Sequence, residues 1–281
     1  MEYYEYRINV IDQDRRDVAI ALLSDLGMSG FEETEDELIA ISTGEISDII
    51  LNEVFQDLRL TYFKSVIKEE NWNAIWESSF QPIAVWNEAK DEMFAYIRAH
   101  FHAPPEKALF DLIITPKMSF GTGHHATTYG MMCYMSKIDF TGCNVVDFGT
   151  GTGVLAILAE KMGAAKVLAT DNDEWCIVSS GENISVNGCK QVELKQSDRF
   201  ERLQNNDIIL ANINLNIIKS NLPVIREACH AKTLVLLSGI LVQDEKDIIE
   251  SLHKFGMMES SIIKNEGWLI IAAKSCRHVA K

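Results

Sequence analysis

The sequence predicts an α/β protein in which a parallel sheet is wrapped by helices and preceded by a small α+β unit. Three observations carry this. From Asn144 onward, apolar strand-like runs alternate with helical patterns, and repeated βα units build parallel sheets. Residues 1–70 hold 17 Asp/Glu against 6 Lys/Arg, whereas the remaining 211 hold 24 against 20, so the chain changes character near residue 70. At 281 residues it also exceeds the usual size of one domain.

In the first unit, Tyr3–Val10 reads as a strand. Asp14–Leu26 repeats apolar residues at Val18, Leu22 and Leu26, with Ala19 and Leu23 beside them, which predicts an amphipathic helix. Gly27 and Gly30 break the chain, Leu38–Ile41 is a short strand, and Ile46, Ile50, Val54 and Leu58 define a second helical stripe. Leu60–Ile67 is a further strand, rich in aromatic and β-branched residues, and one more short strand is expected near Phe31. Trp72, Trp76 and Phe80 recur every fourth residue, as on one face of a packed connecting helix. Strand-like pieces follow at Ile83–Trp86 and Leu109–Ile114.

The later alternation runs as follows: strand Asn144–Phe148, helix Gly153–Met162, strand Lys166–Thr170, helix Glu174–Val186, strand Val192–Lys195, strand Asp207–Ala211, helix Ile217–Ala228, strand Thr233–Ser238, helix Asp244–Phe255, and strands near Ile262 and at Trp268–Ala273. Domain boundaries are placed at 1–68 for the acidic α+β domain, 69–90 for a linker helix and its connection, 91–275 for the α/β domain, and 276–281 for a basic tail.

The net charge of −15 is concentrated in the first segment, whose −11 would repel a polyanion and attract a basic partner. Direct nucleic-acid binding there is disfavoured. No apolar run approaches bilayer-spanning length, and Met1-Glu2-Tyr3-Tyr4-Glu5 has the wrong composition for a secretory signal. The six cysteines form no CxxC pair, which fits reduced thiols in a cytoplasm better than disulfides or zinc.

The central chemical signal is Val145-Val146-Asp147-Phe148-Gly149-Thr150-Gly151-Thr152-Gly153, a strand running into a glycine turn ahead of a helix. Such a turn brings backbone N–H groups against a nucleotide-like ligand, because a Cβ would block close approach. Asp171 ends the next strand, where a carboxylate can accept hydrogen bonds from both ribose hydroxyls. Dinucleotide folds use GxGxxG, whereas this turn is GxGxG preceded by an acidic residue. An anion suits a ligand with a cationic amino group and sulfonium better than one with pyrophosphate, and so points to S-adenosyl-L-methionine rather than NAD.

Ile208–Ala211 leads into Asn212-Ile213-Asn214 at a strand carboxyl end, where sites form in doubly wound sheets. Asn212 has two readings: its amide orients an incoming amine, or it caps the helix that follows. Ile213 and Asn214 stand where many amide- or adenine-modifying methyltransferases have Pro-Pro, which argues against a flipped base or a side-chain amide as substrate. Upstream, Met118–Thr128 is a polar glycine-containing loop with the pair His124-His125, entering a helix at about Ala126. No Cys, Asp or Glu lies at ligand spacing from the histidines, so a loop closing over the site is preferred to a metal centre.

The Trp72…Trp76…Phe80-x-Pro82 linker and the segments SFGTGHHATT (Ser119–Thr128), Val145–Ile157, Ala211–Asn214 and Ser238–Leu241 occur together and in this order. In this the chain resembles the bacterial methyltransferases that modify large-subunit ribosomal protein eleven, over nearly its whole length. The resemblance implies a ferredoxin-like substrate-recognition domain, a linker helix, and a Rossmann-like seven-stranded class I methyltransferase domain. It also implies that Thr128 closes the loop over the cofactor, Gly149 opens the turn that continues through Gly151, Asp171 holds the ribose, and Asn212 lies beside the methyl group. Departures are Thr150 and Thr152 for the usual Cys and Ser, Ala126 for Pro, and Asn214-Leu215 for Leu-Ala.

The expected activity is S-adenosylmethionine-dependent N-methylation of lysine side chains, the N-terminal amine, or both, on that ribosomal protein, with Asn212 positioning the amine and no dedicated general base. Alternatives are a methyltransferase of another basic protein or small amine, and an NAD-dependent oxidoreductase.

Overall fold

The computed structural model describes residues 2–28, 30–34, 36–68, 80–87, 89, 91–115, 121–203 and 205–275. The expected helix through Trp72 and Trp76, the loop residues Met118–Phe120 and the tail lie outside the described residues. The chain divides into two compact units, Met1–Trp72 and Asn73–Lys281.

In the first unit, β1 (Glu2–Asn9), α1 (Gln13–Asp25), β2 (Gly30–Glu33), β3 (Glu37–Ser42), α2 (Asp48–Leu58) and β4 (Thr61–Lys68) form a sheet of order β2-β3-β1-β4. The pairings β2–β3, β3–β1 and β1–β4 are antiparallel, which is the split-βαβ arrangement. Asp12 caps α1 by accepting the Arg15 N–H, and Ser47 caps α2 by accepting that of Ile49.

The faces of both helices differ from the sequence expectation. Along α1, Arg16, Ala19 and Leu23 are buried, while Val18 and Leu22 are 46% and 37% exposed. Burial of Arg16 is what the apolar pattern does not reveal. Its Nη2 donates to the Val10 carbonyl at 2.6 Å and its Nη1 reaches Glu33 at 3.5 Å, so its charge is compensated inside the unit. Along α2, Leu51 and Phe55 are the core residues, flanked by Val54 and Leu58, while Ile50 is exposed.

The second unit begins with a three-stranded sheet, β5 (Ile83–Trp86), β6 (Met93–Arg98) and β7 (Phe110–Ile113), in that order; β6 was not expected. Then follow α3 (Ala126–Met135), β8 (Asn144–Phe148), α4 (Val154–Lys161), β9 (Lys166–Asp171), α5 (Glu174–Val186), β10 (Val192–Gln196), β11 (Asn206–Asn212), α6 (Leu215–Ala228), β12 (Cys229–Leu241), α7 (Glu245–Lys254), β13 (Met257–Asn265) and β14 (Trp268–Ser275). The seven-stranded sheet has order β10-β9-β8-β11-β12-β14-β13.

The five strands from β10 to β12 are parallel, but β14 runs antiparallel to both neighbours, so the sheet is mixed rather than parallel throughout. A two-residue hairpin causes this. Asn265 pairs with Trp268, and both central residues, Glu266 (φ 47°) and Gly267 (φ 84°), are left-handed. Adjacent strand residues face opposite cores: Ile208 and Leu210 enter the cluster with α3 and α4, while Ile209 and Ala211 enter that with α6 and α7. Strands buried on both faces need apolar residues at consecutive positions, as β8 and β11 have. No helix among the described residues is long and apolar enough to cross a membrane.

Candidate active site

The chain turns outward in opposite directions from β8 and β11, which are neighbours in the sheet: β9 and β10 extend one way, β12 the other. Their carboxyl ends therefore open a crevice. Register fixes what meets there. Phe148 lies opposite both Thr170 and Ala211, so the residues just beyond (Gly149, Asp171 and Asn212) come together from three strands. A cavity of about 430 Å3 opens at this point. It is lined by Gly149, Gly151, Asp171, Asn172, Asp173 and Cys176 together with His125, Thr127, Asn212, Ile213, Asn214, Ile217, Gly239 and Trp268.

Backbone angles require the glycines. Gly149 has φ +78°, and a Cβ on it would collide with Ile213 Cγ2. Gly239 has φ +81°, and its Cβ would strike the Ile213 carbonyl. That gives the Ser238–Leu241 motif a role that the sequence reading left open: it admits the β11–α6 connection to the cavity edge. Gly151 donates its N–H to Asp171 Oδ2 at 2.9 Å, and Asp173 donates to Oδ1 at 3.1 Å. Each carboxylate oxygen keeps further acceptor capacity beyond these bonds.

Asn212 is 8% exposed. Its Nδ2 donates to Thr128 Oγ1 at 3.0 Å, which leaves a buried Oδ1 with no partner. The capping alternative falls to Asn214, whose Oδ1 accepts the Ile217 N–H at 3.0 Å and starts α6. Thr128 is fully buried, and its neighbour Thr127 lines the cavity. Thr128 thus contacts the amide of Asn212 directly.

The two histidines diverge. The His124 ring sits edge-on to Phe80 at 4.8 Å and the His125 ring edge-on to Trp268 at 4.9 Å. His125 Nδ1 caps α3 at Thr127. Burial lowers the pKa of His124, opposed by a backbone hydrogen bond at Gln81. Among the described residues, no group of three or more His, Cys, Asp or Glu is placed to hold a metal. Trp268 was given no role from the sequence. It lies 143 residues beyond His125, and only the hairpin before β14 brings the two rings together.

Asp147 stands behind the turn rather than in the cavity lining. It is wholly buried, with Oδ2 accepting from Thr150 Oγ1 at 2.6 Å and Oδ1 unpartnered. Burial pushes its carboxyl up to about 7; the Thr150 hydroxyl and the Ala156 backbone oppose the shift, and the Asp171 charge adds to it.

The donor set fits S-adenosylmethionine. Asp171 can still accept from hydroxyls, the glycine turn admits close approach, and the buried Asn212 Oδ1 offers an acceptor.

Residues 13–276 match the model of a family described as ribosomal protein L11 methyltransferase (PrmA). A relative of that name from Porphyromonas gingivalis is 36% identical over 261 residues, covering 90% of this chain and 88% of its own. One from Chlorobaculum tepidum is 35% identical, covering 92% of each chain. A solved ribosomal protein L11 methylase from Lactobacillus delbrueckii subsp. bulgaricus superposes with a TM-score of 0.61 at 24% identity, over 70% of this chain and 99% of its own.

Proposed function

Because the chain belongs to the ribosomal protein L11 methyltransferase family, we propose that it methylates amine nitrogens of ribosomal protein L11: lysine side chains, the N-terminal amine, or both. It is a protein methyltransferase dependent on S-adenosylmethionine. The observation that carries the choice of an amine is Asn212, whose Nδ2 is committed to Thr128 while its buried Oδ1 has no partner.

Bound in the crevice, S-adenosylmethionine supplies an electrophilic methyl group on a sulfonium. Asp171 would accept from its ribose hydroxyls, and Gly149 and Gly151 would let the backbone approach it. Asn212 Oδ1 would accept one N–H of the substrate amine and so orient the nitrogen lone pair for methyl transfer. A lysine amine, with a pKa of about 10.4 in water, is mostly protonated at neutral pH. The walls formed by Ile213, Ile217 and Trp268 desolvate it and lower that value. His125 uses Nδ1 at the start of α3, and Asp171 already accepts two backbone N–H groups. The residues therefore act by orientation and exclusion of water, and the amine proton leaves to solvent.

The acidic first unit serves as the substrate-recognition domain: a basic ribosomal protein is drawn to its −11 charge. The reaction takes place in the cytoplasm. The test is mass spectrometry of purified L11 after incubation with this protein and S-adenosylmethionine. Stepwise gain of methyl groups on amines is expected. Cofactor binding without any gain on L11 would redirect the search to other basic proteins.

A further inference from the structure

The glycine turn is held from behind by a chain of three hydrogen bonds, the central one buried and the outer two partly so. Thr115 N–H donates to Asn183 Oδ1 at 2.9 Å. Asn183 Nδ2 donates to the Thr152 carbonyl at 2.9 Å. Thr152 Oγ1 donates to the Gly121 carbonyl at 2.7 Å. Both side chains are completely buried. Every bond has a backbone group at one end, so the donor and acceptor roles are unambiguous.

Close packing surrounds the chain. Gly121 has φ +100°, and a Cβ there would lie 3.2 Å from Thr152 Oγ1. A Cβ on Gly153 would lie 3.2 Å from that of Ser180, one turn before Asn183 on α5. Thr152 thus joins α5, the turn and the segment from Gly121 to His125.

We propose that Thr152 and Asn183 form a positioning latch that sets the affinity for the cofactor without entering the methyl-transfer step. The inference rests on reading the cavity as the cofactor site. Thr152 directly follows Gly151, whose N–H is fixed to Asp171, so the latch and the carboxylate hold the two ends of one dipeptide. On the other side Gly121 leads into His125 and Thr127, which also line the cavity. Releasing the Gly121 carbonyl loosens the turn and this segment together. The amide of Asn212 keeps its own bond to the fully buried Thr128. Affinity and turnover should therefore respond differently.

The experiment is calorimetric titration of the full chain with S-adenosylhomocysteine, with turnover at saturating S-adenosylmethionine measured alongside. Thr152→Val, which keeps the shape and removes the donor, should bind about 10-fold more weakly with kcat within about 3-fold of the parent. Thr152→Ser should restore binding to within about 2-fold. A folded Thr152→Val protein that binds as tightly as the parent would overturn the latch, as would kcat falling as far as affinity. Should Thr152→Val not fold, Thr152→Ala decides the matter, because it also removes the donor: binding as tight as the parent's would overturn the latch. A parent protein that binds no S-adenosylhomocysteine would overturn the cavity assignment, and the latch with it.

Discussion

Asp147→Asn should remove the pH dependence that one buried carboxyl imposes on folding. Asp147 is wholly enclosed beneath the glycine turn, and burial raises its pKa from 3.8 to about 7. At about 1.36 kcal/mol per pKa unit, the ionised form is penalised in the folded state by about 4 kcal/mol. The folded protein therefore binds more protons than the unfolded chain between pH 4 and 7. Stability from this group is fully present below pH 4 and falls as pH rises to 7, beyond which the loss is complete.

Asparagine cannot ionise, so it escapes the loss. Its Oδ1 can still accept from Thr150, but its Nδ2 replaces the unpartnered Oδ1 and buries an unsatisfied donor, costing about 1–3 kcal/mol at every pH. Urea unfolding of both proteins without cofactor, at several values from pH 4 to 8, separates these effects. The variant should be less stable than the parent at pH 4. The difference should then swing in its favour by about 4 kcal/mol by pH 7.5. Titrating groups that do not interact with Asp147 cancel in that difference. A difference constant to within about 1 kcal/mol across the range would refute a buried, high-pKa Asp147.

Cofactor binding should release protons near pH 6.5, because a cation above the turn favours ionised Asp147; calorimetry in buffers of different ionisation enthalpy reads this, and Asp147→Asn should abolish it. Asn212→Ala should lower kcat by about 100-fold while changing S-adenosylhomocysteine affinity by less than about 3-fold, and equal losses in both would sink its role in orienting the amine. Gly149→Ala forces a left-handed residue into Ile213 and should abolish measurable cofactor binding, with tight binding as the contrary result. Association with L11 should weaken about 10-fold or more between 50 and 300 mM salt if the acidic unit steers it, whereas salt-independent binding would remove that role.

Residues close in sequence and bound by local backbone rules were legible before any fold was known. The turn Gly149–Gly153 declares itself because positive φ is costly for residues with a Cβ. Helix α5 occupies Glu174–Val186 as expected, and Asp171 closes its strand, because periodicity and strand ends are local properties. Asn212 was legible as a candidate but not as a choice between two roles. That needed Asn214 at the cap and Thr128, 84 residues away, accepting from the amide.

Other features depended wholly on tertiary packing. The buried face of α1 turns on Arg16, whose charge finds the Val10 carbonyl and Glu33 only once the sheet forms. Trp268 reaches the cavity because the Glu266-Gly267 hairpin inserts β14 between β12 and β13. The latch through Thr152 and Asn183 joins residues 31, 31 and 68 positions apart. Sequence pattern reports backbone conformation and mean burial, which act over a few residues. Which polar groups satisfy one another inside the fold is decided by distances that exist only after the strands have found their order.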